Sequence, residues 1–161
     1  MNSILKIALS AVFVSISFGA HAQSSVPNPN YTPGAINPMV TQENISQTIC
    51  VRGWTKTIRP DMGYTESLKR QQIVAFGYGD RNLRDYEEDH LIPLELGGAP
   101  TDQRNLWPEP RMPSDNWTSD MKDHLENVLK HLVCRGAISL NEARMAIATD
   151  WRSAYQRFVR N

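Results

Sequence analysis

A chain of 161 residues has room for one domain and not comfortably for two. Its 17 basic and 17 acidic residues cancel, so no bulk charge draws it to a polyanion, and a nucleic-acid reading has to rest on a local site. Beyond the N-terminus no apolar stretch is long enough to cross a membrane.

Residues 1–22 read as a secretory signal peptide. Lys6 supplies the positive start, Ile7 to Phe18 is apolar apart from serines, and Ala20-His21-Ala22 offers the small residues that a signal peptidase reads. The apolar run is too short to span a bilayer. No cysteine follows the expected cut, so no lipid anchor is expected there. Loss of Lys6 leaves 16 of the 17 basic residues against 17 acidic ones, among them 12 arginines and 4 lysines. Arginine is the better bidentate partner for phosphate. The expected destination is the bacterial periplasm or the medium. Export places Cys50 and Cys134 where a single pair oxidises. Their disulfide would close a loop of about 85 residues, worth about 4.5 kcal/mol in the chain-entropy account.

Residues 23–40, rich in Pro, Asn and Ser, read as an extended, loosely ordered lead-in to a domain over 41–161. Thr41 can cap a short helix carrying Ile45 and Ile49 on one face. Residues 50–58 alternate loosely and read as extended, and 60–63 as a turn. Thr65 opens a helix with Leu68, Gln72, Ile73 and Phe76 at helical intervals, ended by Gly77 and Gly79. A polar stretch, 80–88, precedes DHLIPLEL at 89–96, which reads as a strand before the Gly97-Gly98 turn. Asn105-Leu106-Trp107 resumes the extended chain, giving a hairpin with a long loop. Pro108, Pro110 and Pro113 forbid a helix there. Residues 118–133 form the strongest helix, with Met121, Leu125, Val128, Leu129 and Leu132 in one stripe. Ser139 and Glu142 make a capping box for a last helix buried through Ala143, Ile147, Trp151, Ala154 and Phe158. The sum is an α+β domain, mostly helical around one irregular hairpin.

The chemistry concentrates in residues 86–110, YEEDHLIPLELGGAPTDQRNLWPEP. A carboxylate stands directly before a histidine, Asp89-His90, and Asn105 follows beyond the glycine pair. Hydrolysis of a phosphodiester needs a group that takes a proton from water near pH 7, which a neutral histidine does. It also needs positive charge at the phosphate, which a divalent ion can supply. Adjacent strand residues point to opposite faces, so Asp89 and His90 should diverge unless the strand is irregular.

This segment, DHLIPLELGG followed by RNLWP, resembles the core of the HNH, or His-Me finger, endonucleases. The flanks TPGAINPMVTQENI, TICVRGWT, YTESLKR and AIATDW are similar to a smaller set of exported bacterial HNH-like proteins. The resemblance implies a ββα-metal motif and a metal-dependent endonuclease acting on DNA or RNA. It implies His90 as general base and Asn105 as the residue that holds the hairpin, the two catalytic candidates, and Asp89 as a metal ligand. The family's second ligand, a His or Asn early on the helix, meets Ser114 here, and Asp115 and Asn116 are nearest its place. His124 and Glu126 lie farther along. The implied cofactor is Mg2+ first, with Mn2+, Ni2+ or Zn2+ as alternatives, and the expected state is a monomer. A non-catalytic exported binding domain on the same scaffold is the competing expectation, and a phosphodiesterase of small substrates a third. His124 and His131 read as edge residues of the amphipathic helix. Arg81, Arg84, Arg104 and Arg111 are candidates to line a phosphate groove.

Overall fold

A computed structural model describes residues 24–160. The signal peptide expected at residues 1–22 lies outside the described residues. Over these residues the chain is an α+β domain: four α-helices, a two-stranded antiparallel sheet and short 3-10 turns. The helices are α1 (Trp54–Ile58), α2 (Met62–Ala75), α3 (Ser119–Cys134) and α4 (Leu140–Phe158), and the strands are β1 (Tyr86–His90) and β2 (Leu106–Pro110).

The two strands pair from Tyr86 opposite Pro110 to His90 opposite Leu106. Each has only one neighbour, which is why Pro108 and Pro110 are tolerated in β2. The strand does not lie where the apolar run DHLIPLEL suggests. It ends at His90, and Leu91, Ile92, Leu94 and Leu96 are buried from a loop that includes a 3-10 turn at Leu94–Leu96. Hydrophobicity marked burial correctly there, but Pro93 removes a backbone donor and the chain turns in place of pairing.

Two further boundaries differ from the sequence reading. Residues 54–58 are helical, entered through Gly53 at φ 84°, and not extended. Helix α2 begins at Met62, inside the expected turn, because the Asp61 carboxylate accepts from the Tyr64 N–H at 3.0 Å and caps it. Of the capping box expected at Ser139 one half is present, Ser139 Oγ accepting from the Glu142 N–H at 3.0 Å, while the Glu142 carboxylate pairs with Arg157. Helix α4 kinks at Asp150, whose backbone is extended.

Helix α2 covers one face of the hairpin. Lys69 Nζ donates to the Tyr86 carbonyl at 3.4 Å and Gln72 Nε2 to that of Leu106 at 3.1 Å. Helix α3 reaches the other face, through Lys122, and packs its apolar side on α4. Leu125, Leu129 and Val133 meet Ala143, Ile147, Trp151 and Ala154 in a core that also takes Val40, Ile49, Ile92 and Leu96. The Cys50–Cys134 disulfide is present, across Cα atoms 5.6 Å apart, and ties the start of the domain to the end of α3. The lead-in lacks regular structure, as read, yet it is packed onto the domain. Ser25 and Thr32 are buried, Ile36 bridges Gly98, and Trp151 Nε1 donates to the Ser25 carbonyl at 2.7 Å. No helix among the described residues is long and apolar enough to cross a membrane.

Candidate active site

The site begins with a scaffold residue. Asn105, fully buried, uses every valence of its side-chain amide. Oδ1 accepts from Ile92 N at 2.9 Å and Ala35 N at 3.4 Å. Nδ2 donates to the carbonyls of Ile92 at 2.9 Å and Ala99 at 3.1 Å. One side chain thereby fixes both ends of the loop after β1. Gly98 makes this closure possible, since a Cβ there would stand 1.8 Å from the Ile92 carbonyl oxygen.

The loop so held delivers the Pro100 carbonyl to His90, 2.9 Å from Nε2. A carbonyl only accepts, so Nε2 carries the proton and Nδ1 is the ring's lone-pair nitrogen. His90 is 5% exposed, and burial pushes its pKa below the ordinary 6.5 despite the Asp89 charge beside it. The ring is therefore neutral at pH 7. It lines an open cleft of about 330 Å³ together with Glu87, Glu88, Asp89, Glu95, Asp123, Glu126, Asn127 and Arg59.

Asp89, one strand position earlier, lines the same cleft and turns its carboxylate toward α3. There its carboxylate meets the ammonium of Lys122, which is fully buried. The same Nζ donates to Glu126 Oε1 at 2.5 Å and to the His90 carbonyl at 2.9 Å. A third carboxyl, Glu109, lies within the same field. Burial alone would raise Asp89, but the Lys122 ammonium holds it below the usual aspartate value. Burial lifts Glu126 to about 8 and Glu109 well above the glutamate range. Lys122 stays charged, since the three carboxyls outweigh its desolvation and raise its pKa. The ammonium thus sits among three carboxyl groups, of which Glu109 and Glu126 are the two that burial drives toward the protonated form. On the α2 side of β1, burial lifts Glu88 to about 9, and neither of its carboxyl oxygens has a hydrogen-bond partner.

The expected site residues divide into two groups. Asp89, His90 and Glu126 share the cleft, with Asn105 behind them. Asp115 and Asn116 do not join it. Asp115 accepts from Ser25 Oγ at 2.7 Å and pairs with Arg152 at 3.4 Å, and Asn116 occupies a turn at φ 61°. Among the described residues no three His, Cys, Asp or Glu side chains are placed to hold a metal ion. The donor set assigned to the metal does not fit it in this arrangement: Asp89 is taken by Lys122, and Asp115 and Asn116 belong to another surface. His124 and His131 are outside the cleft, both exposed on α3.

Three residues that matter here were not singled out from the sequence. Lys122 and Asp123 follow Met121 on the helix read as amphipathic, and the i, i+4 pair Lys122–Glu126 looks like an ordinary exposed ion pair until its burial is known. Among the described residues, Arg59 is the arginine that lines the cleft, held by a 3.9 Å contact to Glu95. Of the expected arginines, Arg104 is paired with Asp102 and Arg111 with Glu87, and Arg81 and Arg84 do not line the cleft. Comparison with protein-family models, with curated proteins and with solved structures finds no match for this chain.

Proposed function

We propose that this protein hydrolyses phosphodiester bonds of nucleic acid outside the cytoplasm, with His90 as general base. The observation that carries the reading is a neutral imidazole, its Nε2–H committed to Pro100, lining an open cleft. In the step, a water oxygen bonds to phosphorus while its proton passes to Nδ1 of His90. The bond from phosphorus to the leaving oxygen breaks, and that oxygen takes a proton from solvent. Arg59, lightly held at the rim, supplies a guanidinium for a non-bridging oxygen. Asn105 is a positioning residue that acts through the loop bearing the Pro100 carbonyl. Mg2+ is the cofactor that the HNH-like resemblance implies.

The test is cutting of plasmid DNA and of RNA by the mature chain, with chelator and with Mg2+, Mn2+, Ni2+ or Zn2+ added. His90→Ala should abolish cutting and His131→Ala should leave it unchanged. A second reading, a non-catalytic exported binding domain, is favoured by the acidic lining of the cleft, which repels a polyanion. Equal behaviour of the wild-type protein and His90→Ala selects it.

A further inference from the structure

We infer that Lys122 holds the place of a divalent ion in this site, so that the cleft works with a built-in ammonium and without bound metal. The inference rests on the hydrolase reading for its rate arm alone. Three contacts define the seat: the Asp89 carboxylate, Glu126 Oε1 at 2.5 Å and the His90 carbonyl at 2.9 Å. Two carboxylic groups and a backbone carbonyl are the hard oxygen donors that a divalent cation takes. Here they converge on a fully buried Nζ, which spends its three N–H donors on them.

No N–H of Lys122 is left for a substrate. Lys122 is therefore a positioning residue: it neutralises the carboxyl group beside His90 and ties the end of β1 to α3. The phosphate meets positive charge from the rim, at Arg59, and not from an ion beneath it. The sequence change that the HNH-like pattern shows after Trp107 then has a physical sense. A chain that carries its own cation between Asp89 and Glu126 has no use for a second metal ligand early on the helix.

The test is Mn2+ electron paramagnetic resonance on the folded, oxidised mature chain. The free-ion signal should be undiminished by the wild-type protein at millimolar Mn2+. Lys122→Ala, which leaves Asp89 and Glu126 facing an empty seat, should bind the ion about 10- to 100-fold more tightly, the range by which a neighbouring group tunes a metal site. Adding Asp89→Asn to that variant should remove the gain. Lys122→Met keeps the buried stem and serves if Lys122→Ala does not fold; the wild-type measurement needs no variant. Mn2+ binding by the wild-type protein that is lost in Asp89→Asn overturns the inference, as does a folded Lys122 variant without any gain. In the rate arm, cutting that persists in chelator supports it and cutting that requires a bound ion overturns it. If the wild-type protein and His90→Ala behave alike, the hydrolase reading fails and the resonance result still decides the seat.

Discussion

Asn105 pairs with Ile92 through both its amide ends, accepting from the Ile92 N–H and donating to the Ile92 carbonyl, each at 2.9 Å. It does with one side chain what a strand does with its backbone. Asn105→Ala should strand the buried Ile92 and Ala99 groups and lower stability by about 3 kcal/mol. Asn105→Asp keeps the acceptor but sets a second carboxylate oxygen against the Ile92 and Ala99 carbonyls, so it should lose at least as much. Urea unfolding with a constant m-value measures both. A loss below about 0.5 kcal/mol for the alanine variant would show that water replaces the amide freely.

Gly98→Ala tests the same closure from its other side. The added Cβ would collide with the Ile92 carbonyl at 1.8 Å, a backbone atom that cannot swing away. The expected cost is about 3 kcal/mol, the upper end for overpacking. Gly136→Ala, at φ 73° but with nothing within reach of its Cβ, should cost less. Thermal unfolding of the two variants side by side separates collision from backbone preference.

Under the proposed hydrolysis, the cutting rate should keep its value further into acid than an ordinary histidine allows. Burial lowers the folded His90 pKa below 6.5, so the base loses its lone pair only below that value. Initial rates across about pH 5 to 8 should place the acid limb under the ordinary histidine value. An acid limb above 6.5 would rule out a buried neutral imidazole as the base.

Stability should fall as pH rises from about 4.5 to about 9. Glu88 and Glu126 bind protons in the fold up to about 9 and about 8, against 4.5 for an ordinary glutamate. A raised carboxyl contributes fully below its unfolded pKa, and the contribution fades as pH climbs through the folded pKa. The urea midpoint should therefore drop between pH 4.5 and about 9, and Glu88→Gln should flatten the decline. An unchanged slope in that variant would assign the effect elsewhere.

Reduction of the Cys50–Cys134 bridge releases a loop spanning 84 positions, worth about 4.5 kcal/mol of chain entropy. Cys50→Ser with Cys134→Ser should lose a comparable stability, read as the shift in urea midpoint with the oxidised protein as reference.

How far the sequence carries can be judged at β1. Within 86–110, the residues picked out by their order, Asp89, His90, Gly98 and Asn105, lie close together in the fold. The last two helices were legible from apolar spacing, along Leu125 and Leu129 and along Ala143, Ile147 and Trp151, and the final one also from its Ser139 cap. What failed has a common cause. The leucines of 91–96 announce burial, and burial is the same whether a strand or a loop delivers it. Helix α1 is five residues long, too short for periodicity to speak. Lys122 escaped notice because charge signals a solvated surface unless its partners are seen in space. Asp115 and Asn116 were chosen by counting along the chain, and the turn before α3 carries them to Ser25 and Arg152.

The indole of Trp151 is tethered to the backbone of Ser25, 126 positions earlier in the chain. The first described residues thus serve as a latch on the last helix. Removal of Ser24 and Ser25 would leave a fully enclosed N–H without an acceptor on the α4 side of the core. Placement of a purification tag, or of a protease site, is accordingly a question about the C-terminal helix as much as about the N-terminus.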